Sequence, residues 1–422
     1  VIRVHKIALD PNREQATYFA KACGTARFAW NWALGEWRAE YRQGGQPSEG
    51  ALRKKLNTIK RTEFPWMLEV SKTAPQEAIK QLGTAFKRFF RKESGYPKFK
   101  RKGERDSYQA DNGPGTFQCD TRRIKLPVIG WVRMREELRF QGKLQSVTVS
   151  RTADRWFVAV AVDGEVPRTE DRPQAVCGVD LGVKALATVS DGNVVEGPKA
   201  HRYYLKKLRR LNRAMARKIE AAKEAMGLKG KAIPKGVRIP ASSNRKKAAE
   251  KLARLHARIA NIRQDSIHKL TTDLVARFAV IGIEDLNVRG MMANERLARS
   301  IADMGFHEFR RQLDYKAKLH GSRIVLAPRF FPSSKTCSAC GHILKDLKLQ
   351  TREWDCPACG AHHDRDHNAA RNLAAYAAAQ ATTTASSAGS HACGEIGSGL
   401  RPKAKVKPNS LKQEPSIRFA QI

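Results

Sequence analysis

The sequence predicts a multidomain α+β protein. A small β-barrel interrupted by a helical block comes first, and an α/β domain bearing a metal-binding knuckle follows. Three observations lead there. One apolar strand precedes a long stretch of helical periodicity, after which alternating strands return. Further on, two almost wholly apolar strands each end in an acid, "VCGVD" and "VIGIE". Near the end, two Cys-x-x-Cys pairs stand close together.

The elements follow in order. "VIRVHKIALDPN" reads as a strand closed by a turn at Asp10-Pro11. From Arg13 to Arg42 the periodicity is helical, with Phe19, Cys23, Phe28, Trp30 and Trp37 among basic residues, until "GGQPSEG" breaks it. A second helix is expected from Ala51 to Arg61 and a third after Pro75. In the third, Ile79, Leu82, Phe86, Phe89 and Phe90 recur at helical spacing opposite Lys80, Lys87, Arg88, Arg91 and Lys92. "GYPKFKRKGERD" is a basic linker. "RIKLP", "GWVRMR" and "LQSVTVSRTADRWFVAVAVDG" are strands, the last a hairpin turning at Ala153-Asp154.

Near Gln174 the character changes. "AVCGVDLGVKALATVSDG" is a buried strand, a glycine turn and a second strand. A basic helical hairpin follows, whose second arm carries an apolar stripe of Leu252, Leu255, Ile259 and Ile262. "LVARFAVIGIEDLNV" and "SRIVLAP" supply two more buried strands. The tail beyond about Thr382 has too little apolar content to fold and is expected to be disordered.

Charge bounds the partners. Lysine and arginine number 79 against 41 acids, giving a net charge of +38 and a pI near 10.3. So basic a chain repels itself unless a polyanion neutralises it, and nucleic acid is the expected partner. No apolar run approaches the ~18 residues of a membrane span, and no signal peptide opens the chain, so a cytoplasmic protein is expected. Eight cysteines in 422 residues do not make a disulfide framework.

Cys337, Cys340, Cys356 and Cys359 do make a metal site. Two Cys-x-x-Cys turns, each followed by glycine (Gly341, Gly360), bring four thiolates onto one structural Zn2+. Cys23, Cys119, Cys177 and Cys393 are singletons, expected in the core or tail. The acids are the second signal. Asp180 and Glu284 end their apolar strands, where an unpaired carboxylate is costly unless it binds a cation. In "HHDRDHNAARNLAAYA", Asp366, Ala369/Ala370 and Leu373 share one helix face, taken as the packed one because Arg365, Arg371 and Asn372 occupy the others. Asp364 points elsewhere and suits an N-cap. Carboxylates converging from strand ends on hard metal ions suit two-metal phosphodiester cleavage, with two Mg2+ expected. The three histidines have no place on a metal saturated by four cysteines and are left with a minor part, such as phosphate contacts.

"GVDLGVKALATVSDG", "IGIEDLNV", "RFFPSSKTCSACG", "WDCPACGAHHDRDHNAARNL" and the amino-terminal "ACGTARFAWNWAL", in that order, resemble the TnpB family. These are transposon-encoded RNA-guided DNA nucleases similar to type V CRISPR effectors, and the resemblance spans roughly residues 1–377. It implies an RNase H-like (RuvC) nuclease at 174–332 and 361–377, split by a zinc-binding knuckle at 333–360. It also implies a wedge barrel from residues 1–10 and 115–173, carrying a helical recognition domain at 11–114; a basic tail takes 378–422. The implied catalytic and Mg2+-binding triad is Asp180, Glu284 and Asp366. The implied partners are a guide RNA and double-stranded target DNA, bound by a monomer. Recognition of a short target-adjacent motif falls by resemblance on Lys72, Thr73 and Gln76, although Thr73 stands where an aromatic is expected and "ADNGPG" matches poorly. Two alternatives stay open: a nuclease-dead repressor, which loss of one acid would mark, and an RNase H-like transposase working without a guide.

Overall fold

Ile7 and Leu9 point inward while Ile2, Val4 and Lys6 face out, so alternation alone makes Ile2–Asp10 a strand, β1. Pro11, which has no N–H to give a ladder, stops it. The computed structural model describes residues 1–111, 116–165, 175–234, 237–348 and 350–387. Residues 112–115 of "ADNGPG", the expected domain boundaries at 114/115 and 173/174, Cys393 and the tail beyond Ser387 lie outside the described residues.

Asn12 opens α1 (Arg13–Arg42) with a capping box: its side chain accepts from the Gln15 N–H, and the Gln15 side chain accepts from the Asn12 N–H. The helix buries Phe19, Ala22, Cys23, Ala26, Ala29, Trp30 and Ala33, one face at three- and four-residue steps. Trp37 stacks on Phe86 of α3 with ring centroids 4.1 Å apart. The second helix, α2, runs Glu49–Ile59, two residues early, because Ser48 caps it through the Ala51 N–H. The third, α3, is Thr73–Phe90 rather than beginning after Pro75. Proline fits a first turn, where its missing N–H has no intrahelical partner to lose. Ile79, Leu82 and Phe86 are buried as expected, but Phe90 is exposed, one residue past the stripe.

Strands β2 (Ser107–Asp111), β3 (Gln118–Asp120), β4 (Arg123–Leu126), β5 (Gly130–Met134), β6 (Lys143–Thr152) and β7 (Arg155–Asp163) join β1 in one seven-stranded sheet, ordered β2-β6-β7-β1-β5-β4-β3. The β6–β7 hairpin pairs Thr152 with Arg155, so Ala153-Asp154 is its tight turn. The sheet regains the chain at Ser107, inside the stretch expected to be helical. Sheet and helices share one apolar core in which Phe19 lies against Tyr108 and Trp156.

The second half forms a five-stranded sheet of β8 (Val176–Asp180), β9 (Ala187–Val189), β10 (Val194–Val195), β11 (Val280–Glu284) and β12 (Arg323–Ala327), ordered β10-β9-β8-β11-β12. The first three meander antiparallel; β11 lies parallel to both β8 and β12. Between β10 and β11 stands the helical hairpin, α4 (Ala200–Glu224) and α5 (Ser243–Arg277). Leu255 and Ile259 of the expected stripe are buried with Leu208, and Leu252 and Ile262 pack against them. Short helices α6 (Val288–Met292) and α7 (Ala298–Met304) lead to α8 (Phe306–His320), which packs with α5 over the sheet. A two-stranded ribbon, β13 (Glu353–Asp355) and β14 (His362–Asp364), carries the knuckle. The last helix, α9 (Arg365–Ser387), continues ten residues past its expected end at Ala377, since an alanine-rich run offers nothing to stop it. Among the described residues, no helix is long and apolar enough to cross a membrane.

Candidate active site and metal centre

Strands β8 and β11 are apolar through their middles because both faces are covered, which leaves each acid at a strand end. Their parallel register pairs Ile283 with Val179, so Glu284 and Asp180 finish side by side at one edge. The helix α9 crosses the same two strands. It can do so because Gly178 and Gly282, themselves register partners, present bare backbone. A Cβ at Gly178 would stand 2.0 Å from Ala370 O, and one at Gly282 would stand 2.4 Å from Leu373 O. Ala369, Ala370, Leu373 and Ala377 are buried in that depression. Asp366, one turn earlier, is thereby brought to the edge where the other two acids end.

The electrostatics record the convergence. Burial pushes the Asp180 carboxyl up to about 8; the charges of Glu284 and then Asp366 add to the shift, and Arg365 and Arg352 oppose it. All three acids are half-buried. Ser333 Oγ donates to Glu284 Oε1, and Arg352 Nη1 donates to Asp366 Oδ1 at 3.3 Å. Asp364 is turned to another task, accepting the His367 N–H at 2.8 Å as the N-cap of α9.

The second face of α9 differs from the sequence reading. Asn372, counted among the outward residues, is buried, as is Asn368. Asn372 Nδ2 donates to Ser333 O (2.7 Å) and Thr336 O (2.6 Å). Asn368 Nδ2 donates to Thr336 O, and its Oδ1 accepts the Ser338 N–H. The two asparagines bind the knuckle's first turn to the helix that carries Asp366. Their i, i+4 spacing was the available signal, as was the Gly-x-acid pattern shared by "GVD" and "GIE".

In the knuckle the four cysteine sulfurs lie within 4.8 Å of one another, with Cys337–Cys359 at 3.7 Å and Cys340–Cys356 at 3.6 Å. A tetrahedron with Zn–S bonds of ~2.3 Å has edges of about 3.8 Å, so the set fits one zinc ion. The histidines divide. His363 is buried on Trp354 with Nε2 3.0 Å from Cys337 Sγ, a support to the ligand and out of reach of phosphate. His362 Nδ1 meets Asp355 at 2.7 Å, and His367 Nε2 lies 3.3 Å from Ser190 O.

Lys72, Thr73 and Gln76 gather at the start of α3. Lys72 is exposed, Thr73 and Gln76 are half-buried, and Thr73 Oγ1 lies 2.9 Å from Ser71 Oγ. Cys23 and Cys177 are buried, as expected of singletons, while Cys119 is half-buried.

Comparison with known proteins adds independent findings. Residues 158–295 match a family described as "Probable transposase", and residues 306–373 match "Cas12f1-like, TNB domain". Residues 1–46 match a "Helix-turn-helix domain", although here they form one strand and one long helix. The chain is 36% identical over its whole length to a Streptomyces pristinaespiralis protein named "Putative RNA-guided DNA endonuclease", of which it covers 98%. It is 32% identical to the InsQ protein of Escherichia coli K12, named likewise, over 98% of each chain. A solved Cas12f1 complex with single-guide RNA and target DNA shares the fold, with a TM-score of 0.54 at 14% identity over 86% of this chain and 83% of that one.

Proposed function

The chain belongs to the TnpB family, and from that membership together with the carboxylate cluster we propose that it is an RNA-guided DNA endonuclease. It holds a guide RNA, recognises a short motif beside the guided sequence and hydrolyses phosphodiester bonds of double-stranded DNA. The observation behind the chemistry is the meeting of three carboxylates from separate segments: Asp180 and Glu284 end neighbouring parallel strands, and α9, seated on Gly178 and Gly282, brings Asp366 to the same edge. Three hard oxygen donors in mutual repulsion suit Mg2+, and Asp180, Glu284 and Asp366 would hold it. Bound Mg2+ supplies an activated water and neutralises charge on the departing oxygen.

The chain's own residues prepare that site. Ser333 engages one Glu284 oxygen and leaves the second free of that bond. Arg352 engages Asp366, and Arg365 adds positive charge near Asp180. The sheet order β10-β9-β8-β11-β12 supports an RNase H-like reading of this half. The seven-stranded sheet with its inserted helices is read as the wedge and recognition parts, with Lys72, Thr73 and Gln76 facing the adjacent motif. Surplus lysine and arginine neutralise RNA phosphates, while base pairing carries sequence specificity.

The test is to sequence RNA co-purifying with the expressed protein, rebuild the complex on that scaffold with a chosen guide, and add Mg2+ with DNA carrying a randomised flank. Guided cleavage dependent on one flank is expected. A protein that carries no specific RNA, or that cuts without regard to the guide, would overturn the reading.

A further inference from the structure

Six residues follow β12 into the knuckle, Pro328-Arg329-Phe330-Phe331-Pro332-Ser333; the strand residue just before them lies beside the candidate acid Glu284 across the sheet, and the last of them bonds to its carboxylate. At the start, Ala327 is the register partner of Glu284 across the parallel β11–β12 pair. At the finish, Ser333 Oγ donates to Glu284 Oε1. Three residues of chain reach at most about 10 Å. The middle of this loop, Phe330, is therefore confined to the neighbourhood of Glu284.

The loop is pinned nearly everywhere else. Phe331 N donates to Pro328 O at 2.9 Å, closing a turn with Phe330 as its third residue. Arg329 pairs with Asp285 at 2.9 Å, Phe331 packs on Tyr376 of α9, and Asn372 holds Ser333 O. Phe330 alone is left out. At 92% exposure it is the most exposed large hydrophobic among the described residues. A single exposed ring on a protein surface ordinarily means nothing. A bare ring on a loop anchored through both neighbours, which leaves the sheet beside Glu284 and returns to bond its carboxylate through Ser333, is placed to meet what that site receives.

We infer that Phe330 is a stacking platform for an unpaired base of the DNA strand being cut, holding that strand over Asp180, Glu284 and Asp366. Every base has a π-face, so a platform of this kind tolerates any sequence, as a guided enzyme requires, and stacking is strong enough to position a strand. This inference rests on the nuclease reading above.

The experiment uses the assembled protein–guide RNA complex and compares wild type with F330A, F330L and F330W. Because the side chain is 92% exposed, all four should melt alike and bind guided DNA alike. F330A and F330L should cut about tenfold or more slowly, and F330W should restore the wild-type rate. 2-Aminopurine placed in the cut strand beside the cleavage position should be quenched by wild type and F330W but not by F330L; placed in the guide RNA it should respond equally in all four. Full activity in F330A, or rescue by F330L, would overturn the platform, since aliphatic bulk cannot stack. Loss of guided binding in F330A, or quenching confined to the guide, would also overturn it. A wild-type complex that cuts no guided DNA removes the nuclease reading itself, an outcome distinct from an active complex indifferent to Phe330.

Discussion

Replacing Gly178 by alanine adds one methyl at the point where α9 rests on β8. That methyl would lie 2.0 Å from Ala370 O, 2.4 Å from Ala374 N and 2.8 Å from Leu373 Cβ. Ordinary contact begins at 3.4 Å, so the shortfall is 3.4 minus 2.0, or 1.4 Å. The two nearest atoms are helix backbone, and no rotamer change can clear them. The helix α9 must lift or slide, carrying with it Asp366, which sits in its first turn, and straining the bonds from Asn368 and Asn372 to the knuckle. Overpacking of this kind costs roughly 1–3 kcal/mol of stability. A shift of about 1 Å at a catalytic group costs on the order of 100-fold in rate. Gly178→Ala should therefore melt lower and cut guided DNA at least ~100-fold more slowly in single turnover, while still binding guide RNA. Gly282→Ala, facing Leu373 O at 2.4 Å, should follow it. Gly35→Ala in α1, which meets nothing within 4 Å, is the control and should be neutral or slightly stabilising. If Gly178→Ala cuts within about twofold of wild type, the close approach of α9 does not set the position of Asp366.

Asp366→Ala should abolish cutting, whereas Asp364→Ala should lose only an N-cap, about 1 kcal/mol, and remain active; the reverse ranking in a cleavage assay would refute the assignment. Metal analysis should find about one equivalent of zinc in the wild type and none in Cys340→Ser. Since Asn368 and Asn372 hang on the same turn, that variant should lose cutting as well. The Asp180 pKa is raised, so the folded protein keeps a proton that the unfolded chain releases above its ordinary 3.8. Stability without added Mg2+ should accordingly fall as pH rises from about 4 to 8, and Asp180→Asn should flatten that part of the melting profile; identical profiles would refute it. RNA affinity should fall steeply with salt, by several log units per log unit of salt concentration, and a slope near one would deny the basic helices their role.

Much of this was legible in residue patterns because the forces involved are local. Alternation gives β1 and the β6–β7 hairpin, and three- and four-residue steps give α1, α3 and the α4–α5 hairpin. Thiol spacing gives the knuckle, since two Cys-x-x-Cys turns are enough to bring four sulfurs within 4.8 Å of one another. Asp180 and Glu284 stood out because carboxylates are costly at the ends of apolar strands, and Asp366 because a helix repeats its faces. Asn372 was misplaced for a reason of the same kind. Periodicity tells which residues share a face, but a polar residue is drawn inward only when carbonyls such as Ser333 O and Thr336 O wait there, and nothing near it in the chain announces them. The boundary of α9 was likewise a matter of degree, because an alanine-rich run contains no stop. Tertiary structure alone decided what the glycines are for. Gly178 and Gly282 are a hundred residues apart and become neighbours only through parallel pairing. The helix that needs their missing side chains is about another ninety residues on. It also decided the electrostatics, since a carboxyl's proton affinity depends on which charges share its low-dielectric surroundings, and those came from three separate segments of the chain.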